Sequence, residues 1–565
     1  MVTQTTNTPK PSANELLKER DPVLGGSIAQ TLADPQADHF SEDDAQFLKF
    51  HGIYPQDDRD LRKTGKKHML MVRCRIPGGV LTPAQYLACD ALATRYANNT
   101  LRVTSRQALQ FHGVLKDGLR ALVREINEAL LSTLAACGDV SRNVMAPPTP
   151  ALDGLGAQVQ DHARQVALAL APRTQAYHSI WIDGVALDLA DPANRDFADP
   201  LYGRTYLPRK FKIAFAIPPL NDVDILSNCC GFIAISDAGG KLLGYNLTAG
   251  GGMGRSHGNT ETFPRLADVI GFLPSDKVQD VARAVLTIHR DFSDRSNRKH
   301  ARLKYVIEER GAEWFRAELE QRVGFKFEAP RPYRFENQGD AFGWNRQADG
   351  RLFLGLFVET GRIKDANGRR VKTALREVIA KYQPGIRLTP GNNLILADIT
   401  PAQQKEITHL FASYGVETDV ERQGGILRRA SMACVALPTC GLALAESERY
   451  LPDLITRLEG VLAELGLGGQ EITIRMTGCP NGCARPYMAE IGFVGKAPGR
   501  YQIWLGGNEG STRLNRLYRD MVKDPDITVE LRPLFARYAQ ERLPAERFGD
   551  WVERVLWKEQ PPAAN

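Results

Sequence analysis

The chain has 565 residues, of which 43% are hydrophobic and 24% are charged, and its formal net charge at pH 7 is +6. This length is too great for a single hydrophobic core, so we expect several globular domains. No apolar run approaches the roughly 18 residues of a membrane span, and the N-terminus is polar, so we expect a cytoplasmic protein without a membrane anchor. The mild, dispersed positive charge does not require nucleic acid as a partner, because cations placed for a small anion explain it equally well.

Residues 1–68 are predicted to form an N-terminal arm. The first 45 residues are rich in Thr, Pro, Asn and Asp, a composition typical of mobile segments. Aromatic and charged residues are dense from Phe47 to Asp60, which fits either a loop packed over a core or a functional surface. The basic run from Arg62 to Lys67 fits either a solvated loop or a docking site for an acidic partner.

Residues 69–135 are predicted to form a small α/β module. Met69–Val80 has the alternation of a strand, and a helix is predicted from an N-cap at Thr82 to Tyr96. Leu101–Gly113 is predicted to be the next strand. It carries unusually many polar side chains, which by itself fits a strand at a sheet edge with one wet face.

A weak internal repeat relates this strand to Ile386–Ile399 at a constant offset of 285. The matching pairs are Arg102/Arg387, Thr104/Thr389, Leu109/Leu394 and Val114/Ile399. We therefore predict a second copy of the module at residues 335–420. The polar residues that differ are Arg106, Gln110 and His112, which become Gly391, Ile395 and Ala397. One half thus keeps polar groups that the other has replaced by packing.

The segment between the two copies, residues 136–334, concentrates cations. In the run from Gly203 to Ile217, four cations precede an apolar strand. They are Arg204, Arg209, Lys210 and Lys212. Buried charges are costly unless paired, so we expect an anionic ligand here. The triple glycine Gly250–Gly252 forms a turn or lets the backbone approach a flat cofactor. A further basic set without an assigned role is Arg290, Arg295, Arg298, Lys299, Arg302 and Lys304.

Four of the nine cysteines have ligand spacing, and all four lie in the segment 421–565. Five residues separate Cys434 from Cys440, and three separate Cys479 from Cys483. Zinc sites usually place two to four residues between paired ligands, and disulfides are not expected without a secretory signal. Thiolates in Pro- and Gly-rich loops favour a [4Fe–4S] cluster, with zinc or plain core cysteines as alternatives. A helix predicted to begin near Leu442 would point its positive end at the first pair.

The first pair, followed by T-G-C-P-N-G-C from Thr477 to Cys483, resembles the signature of the sulfite/nitrite reductase family. In that family the four cysteines hold a [4Fe–4S] cluster, and the last, here Cys483, also bridges to the iron of a siroheme. The resemblance covers most of residues 45–545 and is greatest to the hemoprotein (beta) subunits of bacterial NADPH-dependent assimilatory enzymes. It implies an α+β fold, in which a pseudo-twofold repeat of small α/β modules and larger mixed-sheet domains encloses both cofactors.

The resemblance also assigns individual residues. The implied cluster ligands are Cys434, Cys440, Cys479 and Cys483. The cations matching the family's substrate-binding positions are Arg73, Arg142, Lys210 and Lys212. The implied siroheme contacts are Arg102, Thr104, Arg106, Gln110, Arg209, Asn481 and Cys483. The implied reaction is the six-electron reduction of sulfite to hydrogen sulfide for cysteine biosynthesis, with ferredoxin-dependent sulfite or nitrite reduction as the alternative.

The chain contains no intact G-x-G-x-x-G or Walker motif, so we expect electrons to come from a separate protein. The stretch His51–Asp60 resembles family members served by an NADPH flavoprotein (alpha) subunit, and ferredoxin is the other candidate donor. A zinc-stabilised protein that binds RNA or DNA through its basic patches is the alternative from another class. The absorption spectrum separates the two hypotheses, because siroheme with a cluster is strongly coloured and zinc is not.

Overall fold

The computed structural model describes residues 9–150, 154–173, 181–182, 185–186, 197–337 and 339–559. Residues 1–8 of the predicted arm lie outside this range. No helix of the described residues is long and apolar enough to cross a membrane.

The helices and strands of the first part of the chain extend to residue 323. In chain order they are α1 (Ala13–Arg20), α2 (Ile28–Ala33), α3 (Glu42–Phe50), β1 (Ile53–Asp57), β2 (His68–Arg73), β3 (Val80–Leu81), α4 (Pro83–Tyr96), β4 (Leu101–Val103), β5 (Leu109–Val114), α5 (Lys116–Glu128), α6 (Gly154–Ala169), β6 (Trp181–Ile182), β7 (Val185–Ala186), β8 (Ile213–Ala216), β9 (Cys230–Ser236), β10 (Leu242–Ala249), β11 (Asp268–Pro274), α7 (Val278–Phe292), α8 (Leu303–Arg310) and α9 (Ala312–Val323).

The remaining elements begin at residue 343. They are β12 (Gly343–Arg346), β13 (Leu352–Leu356), β14 (Arg362–Ile363), β15 (Asp365–Ala366), β16 (Arg369–Arg370), α10 (Val371–Tyr382), β17 (Gly385–Leu388), β18 (Leu394–Ile399), α11 (Gln404–Ser413), α12 (Ile426–Arg429), β19 (Ser431–Ala433), α13 (Leu451–Glu464), β20 (Ile474–Thr477), β21 (Ile491–Ala497), β22 (Arg500–Leu505), β23 (Arg516–Lys523), α14 (Ile527–Glu541), α15 (Phe548–Trp551) and α16 (Trp557–Glu559).

The N-terminal segment is helical and packed, which differs from the mobile arm that its composition predicts. Leu17 and Leu24 are buried in the core formed by α6, α7 and the β8–β11 sheet. Phe40 is buried in a different core, that of the small modules. A few large apolar side chains therefore anchor a polar stretch, and average composition does not reveal such anchors.

The two small modules have the same architecture and share one hydrophobic core. Their sheets have the strand orders β1-β2-β5-β4-β14 and β12-β13-β18-β17-β3. Strand β5 (109–114) maps onto β18 (394–399) at the offset of 285, and helices α4 and α5 correspond to α10 and α11. The predicted repeat of small α/β modules is confirmed.

Each small sheet is completed by a strand from the other module. Strand β14 pairs with β4 through Arg362 and Arg102, although it follows β13 in the chain. Reciprocally, β3 pairs with β17 through Val80 and Arg387. Neither sheet therefore reaches its full width without the other half.

The prediction of one strand over Leu101–Gly113 was wrong, because the segment is a hairpin of β4 and β5. The turn contains no Gly or Pro to signal it. Instead the Thr104 hydroxyl accepts backbone N–H bonds from Arg106 and Ala108 at 3.3 and 3.2 Å, and Gln107 adopts a positive φ of 51°. Strand β5 also lies inside the sheet between β2 and β4 and not at its edge.

Two larger units also repeat each other. In the first, β8 and β9 are parallel, and β10 and β11 follow antiparallel. In the second, β20 and β21 are parallel, and β22 and β23 follow antiparallel. A short 3₁₀ turn and a long helix, α7 or α14, end each set. The chain is thus a pseudo-twofold repeat of a small module and a larger mixed-sheet unit, as the resemblance implies.

Arg485 lies where the pseudo-twofold copies meet. Its guanidinium donates to the carbonyls of Ser105 at 2.9 Å and Pro390 at 3.1 Å, which are equivalent residues of the two small modules. It also pairs with buried Asp224, and Arg475 binds the same carboxylate at 2.7 Å. Asp224 and Arg485 both have left-handed backbone and both precede the 3₁₀ turn that leads into a large sheet.

A reciprocal pair of amide hydrogen bonds joins the two small modules across this axis. Gln107 donates to the Leu388 carbonyl at 3.0 Å. Its counterpart Asn392 donates to the Val103 carbonyl at 2.7 Å. Because all four residues are buried, both bonds satisfy groups that would otherwise be costly to desolvate.

Asp222 gives a testable pH dependence at this axis. Burial, together with the neighbouring Asp340 and Asp224 carboxyls, raises the pKa of its carboxyl to about 7. The native state then holds a proton that the unfolded chain releases near its ordinary pKa of about 4, so stability falls as pH rises from about 4 to 7. We expect Asp222→Asn to be more stable than wild type at pH 8 by a few kcal/mol, and similar to it near pH 4.

The measurement is the difference in thermal midpoint between Asp222→Asn and wild type at both pH values. Taking the difference cancels the titration of all other groups. A difference that does not change with pH would contradict the raised pKa.

Candidate active site

Arg106 extends from the β4–β5 turn into the space between the modules. It donates to the Asn228 side chain at 2.9 Å and to the carbonyls of Asn143 and Ile213 at 2.6 and 2.9 Å. Burial lowers the pKa of its guanidinium to about 9. No carboxylate of the described residues forms an ion pair with it, so its charge is left for a ligand.

Lys210 and Lys212 lie just before β8 and face the same space. Burial, together with the charges of Arg209 and Arg302, lowers the pKa of Lys210 to about 7. Burial also holds the pKa of Lys212 well below its usual value, with Arg106 and Lys210 adding to the effect. The Cys483 thiolate opposes both shifts, so both ammonium groups lie within its field. Bound anions would act in the same direction and restore the charged forms.

Arg73 and Arg142 complete the predicted set of substrate cations. Arg73, at the end of β2, donates to the Cys137 sulfur at 2.9 Å. With the Gln110 amide oriented for hydrogen bonding, its oxygen accepts from Arg73 Nη2 at 2.6 Å. Arg142 donates to the Gly138 carbonyl at 2.7 Å. Gln110 thus holds the Arg73 guanidinium from the neighbouring strand β5.

Arg102 and Thr104 are bound to protein groups. Arg102 donates to Glu448 at 2.9 Å and to the Ala433 carbonyl at 2.8 Å. Arg362 binds the same carboxylate at 2.7 Å. These bonds tie both small modules to the cysteine-bearing unit, while Thr104 braces the turn that carries Arg106. Contact of either residue with a cofactor stays a prediction.

Arg302 and Lys304 were not assigned from the sequence, yet they lie at this site beside the triple glycine. Arg302 donates to the Cys229 sulfur and to the Gly251 carbonyl, both at 3.3 Å. Lys304 donates to the Gly252 carbonyl at 3.2 Å, and burial lowers its pKa to about 6. The basic set and the triple glycine were each visible in the sequence, but only folding brings them together. Other members of the set are structural, since Arg298 pairs with Asp139 at 2.7 Å.

The four cysteines leave the same end of one sheet. Strands β19 and β20 are parallel, so Cys434 after β19 and Cys479 after β20 emerge side by side. The Gly478 N–H points at the Cys434 sulfur at 3.4 Å. The Asn481 amide points at the Cys479 sulfur at 3.4 Å. These donors are placed to stabilise thiolates.

The spacing of the four sulfurs tests which metal group they fit. Among the described residues, only Asp38, His39 and His68 place three candidate ligand atoms within 4.8 Å of one another. The cysteines are more widely spaced, whereas a single zinc ion would hold its sulfurs about 3.8 Å apart. Burial, together with the neighbouring Cys483, raises the pKa of Cys479 to about 12. The site therefore suits a cationic centre larger than one ion, which fits a [4Fe–4S] cluster.

The helix expected to begin near Leu442 is absent from the described residues, and α13 begins only at Leu451. Residues 442–445 have strong helix propensity, but tertiary bonds override it. The N–H groups of Leu444 and Ala445 both donate to the Gly478 carbonyl, at 2.8 and 3.0 Å. Individual N–H groups of Leu442 and Ala443 instead face the Cys440 sulfur.

The cysteine loop touches the cation site directly. Ser105, next to Arg106, donates to the Cys483 carbonyl at 2.9 Å. Arg255, just past the triple glycine, donates its N–H to the Pro480 carbonyl at 2.9 Å. The structure thus brings together Arg106, Lys210, Lys212 and the cysteine loop, in a space enclosed by both large units and the first small module.

Comparison with known proteins agrees with this arrangement. A family model described as "Nitrite/Sulfite reductase ferredoxin-like half domain" matches residues 62–129 and 345–414. A second, "Nitrite and sulphite reductase 4Fe-4S domain", matches residues 162–327. The half-domain matches cover the two small modules.

Curated relatives match over nearly the whole chain. "Sulfite reductase [NADPH] hemoprotein beta-component" of Staphylococcus epidermidis is 48% identical, over 96% of this chain and 94% of its own. Proteins of the same name from Myxococcus xanthus and Methylobacterium nodulans are 49% and 50% identical, over 97% and 96% of this chain and 97% and 90% of theirs. Mycobacterium tuberculosis NirA has a similar structure, with a TM-score of 0.77, 25% identity and 97% coverage of both chains. The chain belongs to the nitrite and sulphite reductase family.

Proposed function

We propose that this protein catalyses the six-electron reduction of sulfite to hydrogen sulfide. The supporting observation is the set of wholly or partly buried cations beside the Cys483 loop, which form no ion pair with a carboxylate of the described residues. Relatives of similar length that are about half identical are named as NADPH-dependent sulfite reductase hemoproteins. An anionic substrate and anionic cofactors need such charge, because an unpaired buried cation is otherwise costly.

The proposed cofactors are a siroheme and a [4Fe–4S] cluster held by Cys434, Cys440, Cys479 and Cys483. When bound, they supply single electrons and an iron that binds sulfite. The residues that would hold siroheme carboxylates are Arg106 and two cations that lie beside the triple glycine, Arg302 and Lys304. Arginine suits this role because it stays protonated and pairs with carboxylates in a bidentate manner.

The lysines and arginines would have different tasks toward sulfite. Arg73 and Arg142 would offset the charge of the sulfite oxygens. Burial lowers the pKa of Lys210 to about 7, so it can release and regain a proton near neutral pH, and the lowered pKa of Lys212 makes it a second proton donor. Each oxygen lost as water requires such proton delivery.

We also propose that the electron donor is the flavoprotein (alpha) subunit implied by the relatives' names, in the cytoplasm. All nine cysteines are free, which fits a reducing compartment. A docking surface is suggested by the contact between the 3₁₀ turn Arg59–Thr64 and the Cys440 loop. Arg59 donates to the carbonyls of Pro438 at 3.3 Å and Ala443 at 2.6 Å.

This surface combines apolar and basic groups. Leu61 is 40% exposed and Leu442 is 66% exposed. Among the described residues no carboxylate pairs with Lys63, Lys66 or Lys67, which extend from the same turn. An acidic electron carrier would be attracted to this face and would bury the two leucines close to a cluster ligand.

The function is tested with purified protein and an artificial reductant. We expect siroheme and cluster absorption, sulfide formation from sulfite, and no sulfide from Cys483→Ser, because that change removes a thiolate that would hold the cofactors. Colourless, zinc-containing protein would overturn the proposal, and near-normal turnover of Cys483→Ser would overturn the bridging role.

Cofactor loading should be asymmetric between the two halves. Arg106→Ala removes a cation from the first copy of the small module. The second copy has Gly391 at the equivalent position, so the control there is Arg387→Ala, which removes an arginine from the strand just before it. We expect Arg106→Ala to be purified with less than about a tenth of the siroheme and Arg387→Ala with wild-type content. Equal siroheme content in both variants, measured by absorption after extraction, would contradict the assignment.

Substrate preference should depend on Lys212. Sulfite near neutral pH is a mixture of monoanion and dianion, whereas nitrite is only a monoanion, so losing one cation costs sulfite more. We expect Lys212→Asn to lower kcat/KM for sulfite by about a hundredfold, with a smaller loss for nitrite. Both values are measured with the artificial reductant. A constant ratio between the two substrates would exclude Lys212 as the selector.

The docking surface is tested by reversing its charge. We expect Lys63→Glu, Lys66→Glu and Lys67→Glu together to lower kcat/KM for the flavoprotein about tenfold or more, while turnover with a small reductant stays unchanged. The matched control reverses Lys241, Lys277 and Lys405, which extend from other parts of the surface. Equal losses in both triple variants would contradict a local docking site.

A further inference from the structure

A group of metal-ligating side chains lies away from the active site, where the N-terminal segment meets the first small module. Asp38 and His39 belong to the loop between α2 and α3, and His68 is the first residue of β2. One ligand atom from each of the three lies within 4.8 Å of the other two. The two imidazole rings stack with centroids 4.3 Å apart and planes 13° apart. The Asp38 carboxylate contacts His39 Nδ1 at 2.6 Å.

The backbone on both sides of this group is fixed. Phe40, next to His39, is buried in the core of the small modules. Lys116 binds the Asp34 carbonyl at 2.6 Å and holds the other end of the loop. His68 is held in register, because Asp57 of β1 pairs with it. The loop therefore brings two histidines from distant parts of the chain together on a rigid frame.

We propose that Asp38, His39 and His68 bind one divalent metal ion such as Zn²⁺, with a water molecule as the fourth ligand. Two imidazole nitrogens and one carboxylate oxygen are a ligand set that Zn²⁺ accepts. Tetrahedral ligands of zinc lie about 3.4 Å apart, so atoms that are within 4.8 Å of one another must approach by at most about 1.4 Å, and the stacked rings must rotate until both nitrogens face the ion. The side chains of Asp38 and His39 are 72% and 58% exposed, which leaves them free to make that adjustment.

The local charge permits a cation. Asp57 lies beside His68, and its carboxylate is bound by Arg62, while Lys66 is a further cation near His68. Asp38 supplies a negative charge to the group. Its contact with His39 Nδ1 already places two of the ligand atoms together, and the ion would take the place of the hydrogen that they share.

The ion would link the loop of residues 34–41 to strand β2. Strand β2 ends at Arg73, and the loop leads into α3, which packs in the core of the first large unit. The site would therefore be structural, joining the N-terminal helices to the strand that supports a substrate cation. It does not depend on the proposed reaction.

The test is calorimetric titration of Zn²⁺ into the purified enzyme with its cluster intact, so that the four cluster cysteines do not compete. We expect one saturable site per chain, with His39→Asn and His68→Asn each weakening binding at least about tenfold. His257→Asn changes an exposed histidine elsewhere and is expected to bind as wild type. Zn²⁺ should also slow proteolysis within residues 34–41 of the wild type and not of His68→Asn.

Two results would overturn the proposal. One is the absence of a saturable site at one ion per chain. The other is equal Zn²⁺ affinity in His68→Asn, His257→Asn and wild type, which would place the ion elsewhere. Because sulfite turnover is not the readout, failure here leaves the proposed function untouched, and failure of that function leaves the metal site testable.

Discussion

The buried ion cluster of Asp224, Arg475 and Arg485 is the interaction on which the arrangement of the four units depends. One carboxylate from the first large unit binds two guanidinium groups from the second. Arg485 then uses its remaining donors on one carbonyl from each small module. Removing Asp224 would leave two guanidinium groups in the interior without this partner, at a cost of about 3–5 kcal/mol. A single side chain thus fixes the relative position of three units.

This central cluster also explains why the two halves differ in chemistry. The pseudo-twofold relation places equivalent loops on either side of Arg485, so each half offers a comparable space. In the first half the loop carries Arg106, and the facing residues are lysines. In the second half the same position is Gly391, and the nearby groups are the carboxyls of Asp222 and Asp340. One space is suited to anions, and the other retains carboxyl groups whose pKa values are raised by burial.

The sequence alone predicts the small-module repeat and the cysteine set, because both depend on short local patterns such as R-x-T and T-G-C-P-N-G-C. It does not reveal the equivalence of the large units, since equivalent positions carry opposite charges, as Asp224 and Arg485 do. Arg302 and Lys304 went unassigned because their neighbours at the site come from distant strands. The helix expected at Leu442 was wrong because hydrogen bonds to the Gly478 carbonyl outweigh local propensity. Long-range contacts decided each of these cases.

The strand exchange between the small modules constrains how the protein is made. Until β14 has been synthesised, β4 is an unpaired strand at the edge of its sheet. Unpaired edge strands promote aggregation. Such long-range pairing also slows folding. The sheet of the first small module therefore stays incomplete until most of the chain has been synthesised. Insertion of any prosthetic group between the halves becomes a late step of biogenesis, which favours a chaperone-protected apoprotein over cofactor capture during translation.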